Sequence, residues 1–282
     1  MQYKYLPPSP ALEGYIDYYL VIECSKGVER HPVTVYPAPQ AEMVFNYGDI
    51  SYEQATAGER IKSSDIAVSG FFTQTTTYTN ENNLAVIMVG FKPWGIQPFI
   101  TFNAGEITNI NLSMEHVYPG KINEVENRLK GAGTIQLRIQ VIENFLLSII
   151  RPFKPDELII ESVKEINRRY GQISVAELAR SFFLSEKQFK RRFNNSVGIN
   201  PKLFSRLVRF QHILQCMDNS KVALLDTAIQ TGFYDEAHFI KEFMNFTGKT
   251  PSSYIDENKR SSLGTYLDEQ FRKSLFYNTI YR

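Results

Sequence analysis

The sequence is short of the residues that hold metals and disulfides. It has two cysteines in 282 residues, Cys24 and Cys216, one in each half. They form no metal-ligand spacing and no disulfide framework, so a reducing, cytoplasmic setting is expected. Only two of the four histidines, His31 and His116, lie in the first 150 residues, far apart and in no motif. That excludes a clustered His–carboxylate metal site in this half. Cys24 is flanked by Glu23 and Ser25 with no basic residue before it, so no reactive-cysteine motif is written there. Accordingly no catalytic residue, no metal and no cofactor is predicted, and an enzyme is not expected. Long apolar runs are missing as well: nothing approaches the ~20 residues of a membrane span. The opening MQYKYLPPSP lacks the charged-then-apolar layout of a signal peptide. An excess of charge is also missing, the net value being +1.

That balance conceals an asymmetry. Residues 1–150 carry 10 Lys+Arg against 15 Asp+Glu, net −5, whereas residues 151–282 carry 21 against 15, net +6. A basic half joined to an acidic half points to a nucleic-acid domain attached to a domain of another kind. The length suffices for two domains.

Within the basic half, Ser174–Gly198 reads as a helix, a tight turn and a second helix. Val175, Leu178 and Ala179 share one face of the first. Ser185 stands where an N-cap belongs, because its hydroxyl can accept an orphan backbone N–H. Phe189 and Phe193 recur at i, i+4 and face inward. Lys187, Gln188, Lys190, Arg191 and Arg192 face out. A helix with a packed back and a cationic, hydrogen-bonding front suits a major groove, which is wide, acidic at its walls and rich in acceptors.

The pattern occurs twice. Phe189, Phe193, Gly198, Pro201 and Phe204 reappear with the same spacing as Phe239, Phe243, Gly248, Pro251 and Tyr254, and Ser185 reappears as Asp235. Upstream, Leu178-Ala179 corresponds to Thr227-Ala228. Between the units, Leu203, Leu207, Phe210, Ile213 and Leu214 lie at helical spacing, which predicts one long connecting helix over Pro201–Met217. A rigid connector lets two recognition helices enter successive major-groove segments on one face of a duplex. Residues 159–255, and above all TGFYDEAHFIKEFMNFTGKTPSSYI (231–255), resemble the AraC/XylS family of bacterial transcription regulators. Two departures stand out. Phe183 occupies a turn position where the family usually has Gly, and Thr227 and Thr231 occupy usually apolar positions.

The acidic half reads differently. Residues 1–10 form an extended, Pro-rich lead-in, and Ala11–Leu20 a short helix. From Val21 to about Phe102, short β-prone runs (VTVY, EMVFNYG, DIAVSGFF, TQTTTYT, LAVIMVGF) alternate with turns, which predicts an antiparallel sheet closed into a barrel or sandwich. FKPWGIQPF (91–99) resembles the Phe-x-Pro-x-Gly segment of an N-terminal class in the same family, implying a cupin-like barrel. A small barrel can hold one ligand. Tyr36, Phe45, Tyr78 and Trp94 either line such a pocket or fill the core, and Glu42 either meets a ligand or solvent. Residues 105–118 form a loop with a short helix. Helices follow over Ile122–Lys130 and Thr134–Ile150. The second has a broad stripe from Ile135 to Ile149 that serves packing on the barrel, a subunit interface, or both. The resemblance implies a homodimer there.

The expected fold is therefore α+β. An antiparallel β barrel with helices spans 1–150, and Arg151–Pro155 is a proline-stiffened linker. Asp156 caps the first helix of an all-α domain over 156–256, with helix-turn-helix units at about 174–198 and 223–247. A tail over 257–282 carries Leu263, Leu267, Phe271 and Leu275 at four-residue intervals, which predicts an amphipathic helix. The expected function is sequence-specific regulation of transcription, its partners being double-stranded DNA and, as the resemblance implies, a second copy and RNA polymerase, with no membrane. DNA contacts fall to Lys187, Gln188, Lys190, Arg191 and Arg192 in the first unit, and to Glu236, His238 and Lys241 in the second. Arg191 can pair with guanine O6 and N7, Gln188 with adenine and Glu236 with cytosine N4, while Arg192 belongs at the phosphate rim. The first unit should carry most of the specificity. The N-terminal domain either senses a small molecule or only dimerises or meets a protein. A fused enzyme is the remote alternative.

Overall fold

The structure, a computed structural model, describes residues 2–24, 33–54, 59–80, 83–219, 232–233 and 235–260. The first helix of the second helix-turn-helix unit, with Thr227 and Ala228, and the tail from residue 261 on lie outside the described residues, as does His31. The chain divides into two units. The first runs to Pro155 and omits Tyr36–Pro39 and Phe72–Thr75; these two segments group with the second unit, which begins at Asp156.

The first unit is built on two antiparallel sheets. Its strands are β1 (Gln2–Leu6), β2 (Ile16–Cys24), β3 (Val33–Val35), β4 (Glu42–Asn46), β5 (Ser51–Gln54), β6 (Arg60–Lys62), β7 (Ile66–Ser69), β8 (Thr76–Asn80), β9 (Leu84–Phe91) and β10 (Asn111–Ser113). One sheet has the order β1-β2-β9-β4-β7-β10, the other β3-β8-β5-β6. The β-prone runs seen in the sequence become β3, β4, β7, β8 and β9. Ala11–Leu20 does not form the expected helix. Residues 10–15 make a turn and Ile16 enters β2. Tyr18 and Leu20 on one face of this strand and Tyr19 and Val21 on the other are all buried, a two-sided burial that only a period of two can deliver.

Three helices complete this unit: α1 (Met114–Val117), α2 (Ile122–Gly131) and α3 (Ile135–Ile149). Thr134 caps α3, its Oγ1 accepting from Leu137 N–H at 3.2 Å. The stripe of α3 buries Ile142, Phe145, Leu146 and Ile149. Phe145 meets Phe45 of β4 edge-on at 6.2 Å. Tyr19 reaches the same helix, its hydroxyl donating to Glu143 at 3.1 Å. The six-stranded sheet thus has a helix face, read off from Tyr19, Val21, Met43, Phe45, Ile87 and Val89, all at most 2% exposed. Its other face is different. On the central strands β4 and β9, the residues that keep accessible surface are Glu42, Val44 and Met88, and all three lie on this second face.

From Asp156 on, the described elements of the second unit are all helices. It has α4 (Glu157–Arg168), α5 (Val175–Ser181), α6 (Glu186–Val197), α7 (Pro201–Asn219), α8 (Glu236–Thr247) and α9 (Pro251–Arg260). Its core is aromatic. Phe193 packs on Phe204 at 5.5 Å and Phe210 on Phe246 at 4.8 Å, and Phe189, Phe193, Phe204, Phe210, Phe239 and Phe243 are fully buried. The long connector expected between the repeats is α7.

Candidate nucleic-acid interface

The first helix-turn-helix is assembled from local rules. Ser174 caps α5, its hydroxyl accepting from Glu177 N–H at 3.0 Å. The helix buries Leu178 and Ala179. It stops at a turn in which Leu184 N–H donates to the Ala179 carbonyl at 2.9 Å. Phe183 lies in that turn at φ 55°, the left-handed region that costs a residue with a Cβ about 1 kcal/mol or more. The turn thus has the backbone that a glycine would adopt. The Phe183 ring is 97% exposed, so packing does not offset the strain.

Ser185 then starts α6 with a full capping box. Its hydroxyl accepts from Gln188 N–H, and the Gln188 side-chain oxygen accepts from Ser185 N–H at 3.1 Å. Phe189, Phe193 and Val197 anchor the helix at 0% exposure. Gly198 ends it at φ 99°, where its N–H donates to the Asn194 carbonyl at 2.8 Å. The opposite face is exposed and carries Lys187, Gln188, Lys190 and Arg191. Lys190 leans back onto Glu186 at 2.9 Å, a weak surface pair that a phosphate can displace.

Arg192 is placed otherwise than expected of a rim residue. It is half-buried and forks onto Asp156, Nε donating to Oδ2 at 2.9 Å and Nη2 to Oδ1 at 2.8 Å. Asp156 also accepts from Leu158 N–H at 3.1 Å and so caps α4. One carboxylate therefore starts α4 and ties it to α6. The second unit repeats the device with the charges exchanged. Fifty positions on, Asp156 becomes Arg206 and Arg192 becomes Glu242, and Arg206 Nη2 donates to Glu242 Oε2 at 2.9 Å. The slot that Arg192 fills is a helix-tying position in both units.

In the second unit Asp235 caps α8, accepting from His238 N–H at 2.7 Å. Phe239, Phe243 and Phe246 are buried, and Gly248 closes the helix at φ 72°. Glu236, His238 and Lys241 stand on the exposed side, with the His238 ring 5.2 Å from that of Phe233. This face has one lysine where α6 presents two lysines and an arginine.

The five residues picked out in the first half do not come together. Tyr36 groups with the second unit, its ring 5.5 Å from Tyr254. Phe45 is buried against Phe145. Trp94 donates to the Gly14 carbonyl at 3.3 Å. Glu42 and Tyr78 each belong to a hydrogen-bonded group, and the Glu42 charge is felt at the Tyr78 hydroxyl. Tyr18 donates to Glu42 at 3.0 Å, and Asn111 Nδ2 donates to the Tyr78 hydroxyl at 2.6 Å and to Glu53 at 2.7 Å. Strand register was the missing signal for Tyr18, Asn111 and Glu53, because they sit far from Glu42 in sequence.

Comparison with known proteins agrees with this layout. Residues 178–257 match the family described as "Helix-turn-helix domain", and residues 4–113 match a "Domain of unknown function (DUF6597)". An uncharacterized HTH-type transcriptional regulator of Staphylococcus aureus (strain MSSA476) is 25% identical over 158 residues, 51% of this chain and 21% of the relative. One from Haemophilus influenzae is 28% identical over 114 residues, 40% of this chain and 37% of the relative. The chain thus matches a fifth of the length of the staphylococcal relatives. Among solved structures, ToxT from Vibrio cholerae is 14% identical at a TM-score of 0.44, covering 84% of this chain and 97% of that one. The DNA-binding domain of AdpA in complex with a target DNA is 20% identical at a TM-score of 0.32, covering 37% and 91%. Residues 178–257 thus form an AraC-type helix-turn-helix domain.

Proposed function

We propose that this chain binds double-stranded DNA in a sequence-specific way and regulates transcription in the cytoplasm. In this reading α6 enters a major groove. Arg191 makes a bidentate contact to guanine, Gln188 contacts adenine through its unused amide nitrogen, and Lys187 and Lys190 neutralise phosphate. The α8 helix enters the next groove segment with Glu236, His238 and Lys241 and contributes less. The N-terminal unit holds a small-molecule effector and pairs two copies of the chain, and contact with RNA polymerase completes activation. No catalytic step belongs to this function.

One observation carries the reading. The α6 helix is capped at both ends and pinned by three buried apolar side chains, and its exposed face is cationic. Nothing in the fold of this unit uses Lys187 or Arg191 as an ion-pair partner among the described residues.

The test is fluorescence anisotropy of the full chain with random-sequence duplex DNA across a salt series. Micromolar binding that weakens steeply with salt is expected. Absence of binding at low salt would refute the proposal. A second reading rests on α3, where Leu137 is 49% and Leu147 43% exposed. In it the N-terminal unit only dimerises, and sedimentation of a Leu137→Glu, Leu147→Glu variant would then give a monomer that has lost operator affinity.

A further inference from the structure

The second face of the six-stranded sheet carries one transverse row that strand register defines. Tyr18 of β2 stands opposite Gly90 of β9, Gly90 opposite Glu42 of β4, Glu42 opposite Ser69 of β7, and Ser69 opposite Asn111 of β10. Opposed residues share a face, so these side chains line one band. Gly90 makes the band continuous. A Cβ there would stand 2.4 Å from the Tyr18 ring, so only glycine lets that ring lie across β9 and reach Glu42. At the far end Asn111 crosses to the four-stranded sheet, to Tyr78 and Glu53, which are themselves register partners. The band therefore lies between the two sheets.

Its hydrogen-bonding capacity is one-sided. Glu42 accepts from Tyr18 and from Gln40 Nε2, each at 3.0 Å. Gln40 is 5% exposed, and its Oε1 is buried with no partner. Turning the amide over would set oxygen against carboxylate, so the nitrogen belongs where it is and the oxygen stays unmatched. A buried acceptor left without a donor costs about 1–3 kcal/mol. Burial pushes the Glu42 carboxyl above its ordinary range, with its two hydrogen bonds opposing this, and the residue still keeps accessible surface. A carboxylate that is desolvated yet keeps accessible surface can be reached by a small ligand. Two carboxylates, Glu42 and Glu53, and two tyrosine hydroxyls, Tyr18 and Tyr78, belong to this band and its far end, and no Lys or Arg is hydrogen-bonded to Glu42, Glu53 or Tyr78 among the described residues.

We infer that the band is a binding site for a small organic ammonium ion. This deepens the effector part of the function proposed above and rests on it. A carboxylate ligand would meet two like charges. A neutral polyol would match the orphan acceptor but leave the Glu42 charge without a counter-ion in a low-dielectric site. A metal ion is poorly served, since among the described residues no three His, Cys, Asp or Glu side chains group together. An ammonium group supplies donors to Glu42 and Gln40 Oε1 at once, and the tyrosine rings suit its charge.

Thermal unfolding and titration calorimetry of the full chain, with agmatine and tyramine, with inositol and with decanoate, test the site. Both amines, or one of them, are expected to raise the melting temperature, and inositol and decanoate to leave it unchanged. Glu42→Gln keeps an acceptor for Tyr18 and removes the charge, and should weaken amine binding by about tenfold or more. On the unsubstituted chain, amine affinity should fall as pH is lowered and Glu42 takes up a proton, because the amines stay charged throughout. No shift with either amine, a shift with inositol or decanoate instead, or an amine affinity untouched by Glu42→Gln and by pH would overturn the inference. Duplex binding measured on the same samples separates the two readings. Its loss would refute the DNA-binding function alone, and amine failure with DNA binding intact would refute this site alone.

Discussion

At the scale of single residues, two side chains sit where their own chemistry is unfavourable. Phe183 holds a left-handed backbone in the helix-turn-helix turn with its ring in solvent. Phe183→Gly should therefore raise the unfolding free energy by about 1 kcal/mol, after the extra backbone entropy of glycine is subtracted. Chemical denaturation reads this directly, and an unchanged or lower midpoint would show that the ring contributes packing in solution. Asp17 is the second case. Burial pushes its carboxyl up to about 6, with Lys92 acting the other way. A carboxyl raised in the folded state is best tolerated when protonated. Its penalty is absent below the ordinary range near 4 and grows as pH rises through about 6. Asp17→Asn should then match the parent chain below pH ~4 and exceed it by on the order of 2 kcal/mol above pH ~6. Urea midpoints at both ends of that window check the sign.

At the scale of elements, the recurring feature is the tie between each recognition helix and the helix that precedes its helix-turn-helix unit, α4 for α6 and α7 for α8. Asp156–Arg192 and Arg206–Glu242 occupy equivalent places with opposite polarity. This separates two arginines that are adjacent in sequence. Arg192→Ala should lower stability by roughly 1 kcal/mol, as for a partly exposed bidentate pair, and leave the salt dependence of DNA binding nearly unchanged. Arg191→Ala should leave stability unchanged and reduce the slope of log K against log salt by about 1 if it meets phosphate, or cost about 1–3 kcal/mol on the operator alone if it reads a base. Arg191→Ala should also cost more operator affinity than Lys241→Ala, because α6 presents the denser cationic face. Equal losses from the two would show that both helices read DNA alike.

At the scale of the whole molecule, charge is divided along the chain. Residues 1–150 carry net −5 and residues 151–282 net +6. A polyanion is repelled by one and attracted by the other. Residues 151–282 made alone should thus bind random duplex several-fold more tightly than the full chain at low salt, with a convergence of the two affinities at high salt. Anisotropy titrations of both proteins, side by side, decide it. A fragment that binds no better would mean that the acidic half contributes no field at the interface.

Among the described residues, most of the helical unit is legible in the sequence by itself. Capping and periodicity are local properties, so Ser174, Ser185 and Asp235 announce helix starts, Gly198 and Gly248 the ends, and Phe189 with Phe193 the buried face. The repeat of Phe, Gly and Pro after fifty residues marks two equivalent helical segments. Only tertiary structure decided the fate of Arg192, because its partner Asp156 lies 36 positions away on another helix. The same holds for the sheets. The β-prone runs between turns in Val21–Phe102 announce strands, yet Ile16–Leu20 reads as helix because both of its faces are buried and no polar alternation survives. Cross-strand register is a non-local quantity, set by which strands pair and where each bulge falls. It is register that puts Tyr18, Glu42 and Asn111 in one band, whereas the local pleat sends Phe45, three places along β4 from Glu42, to the opposite face.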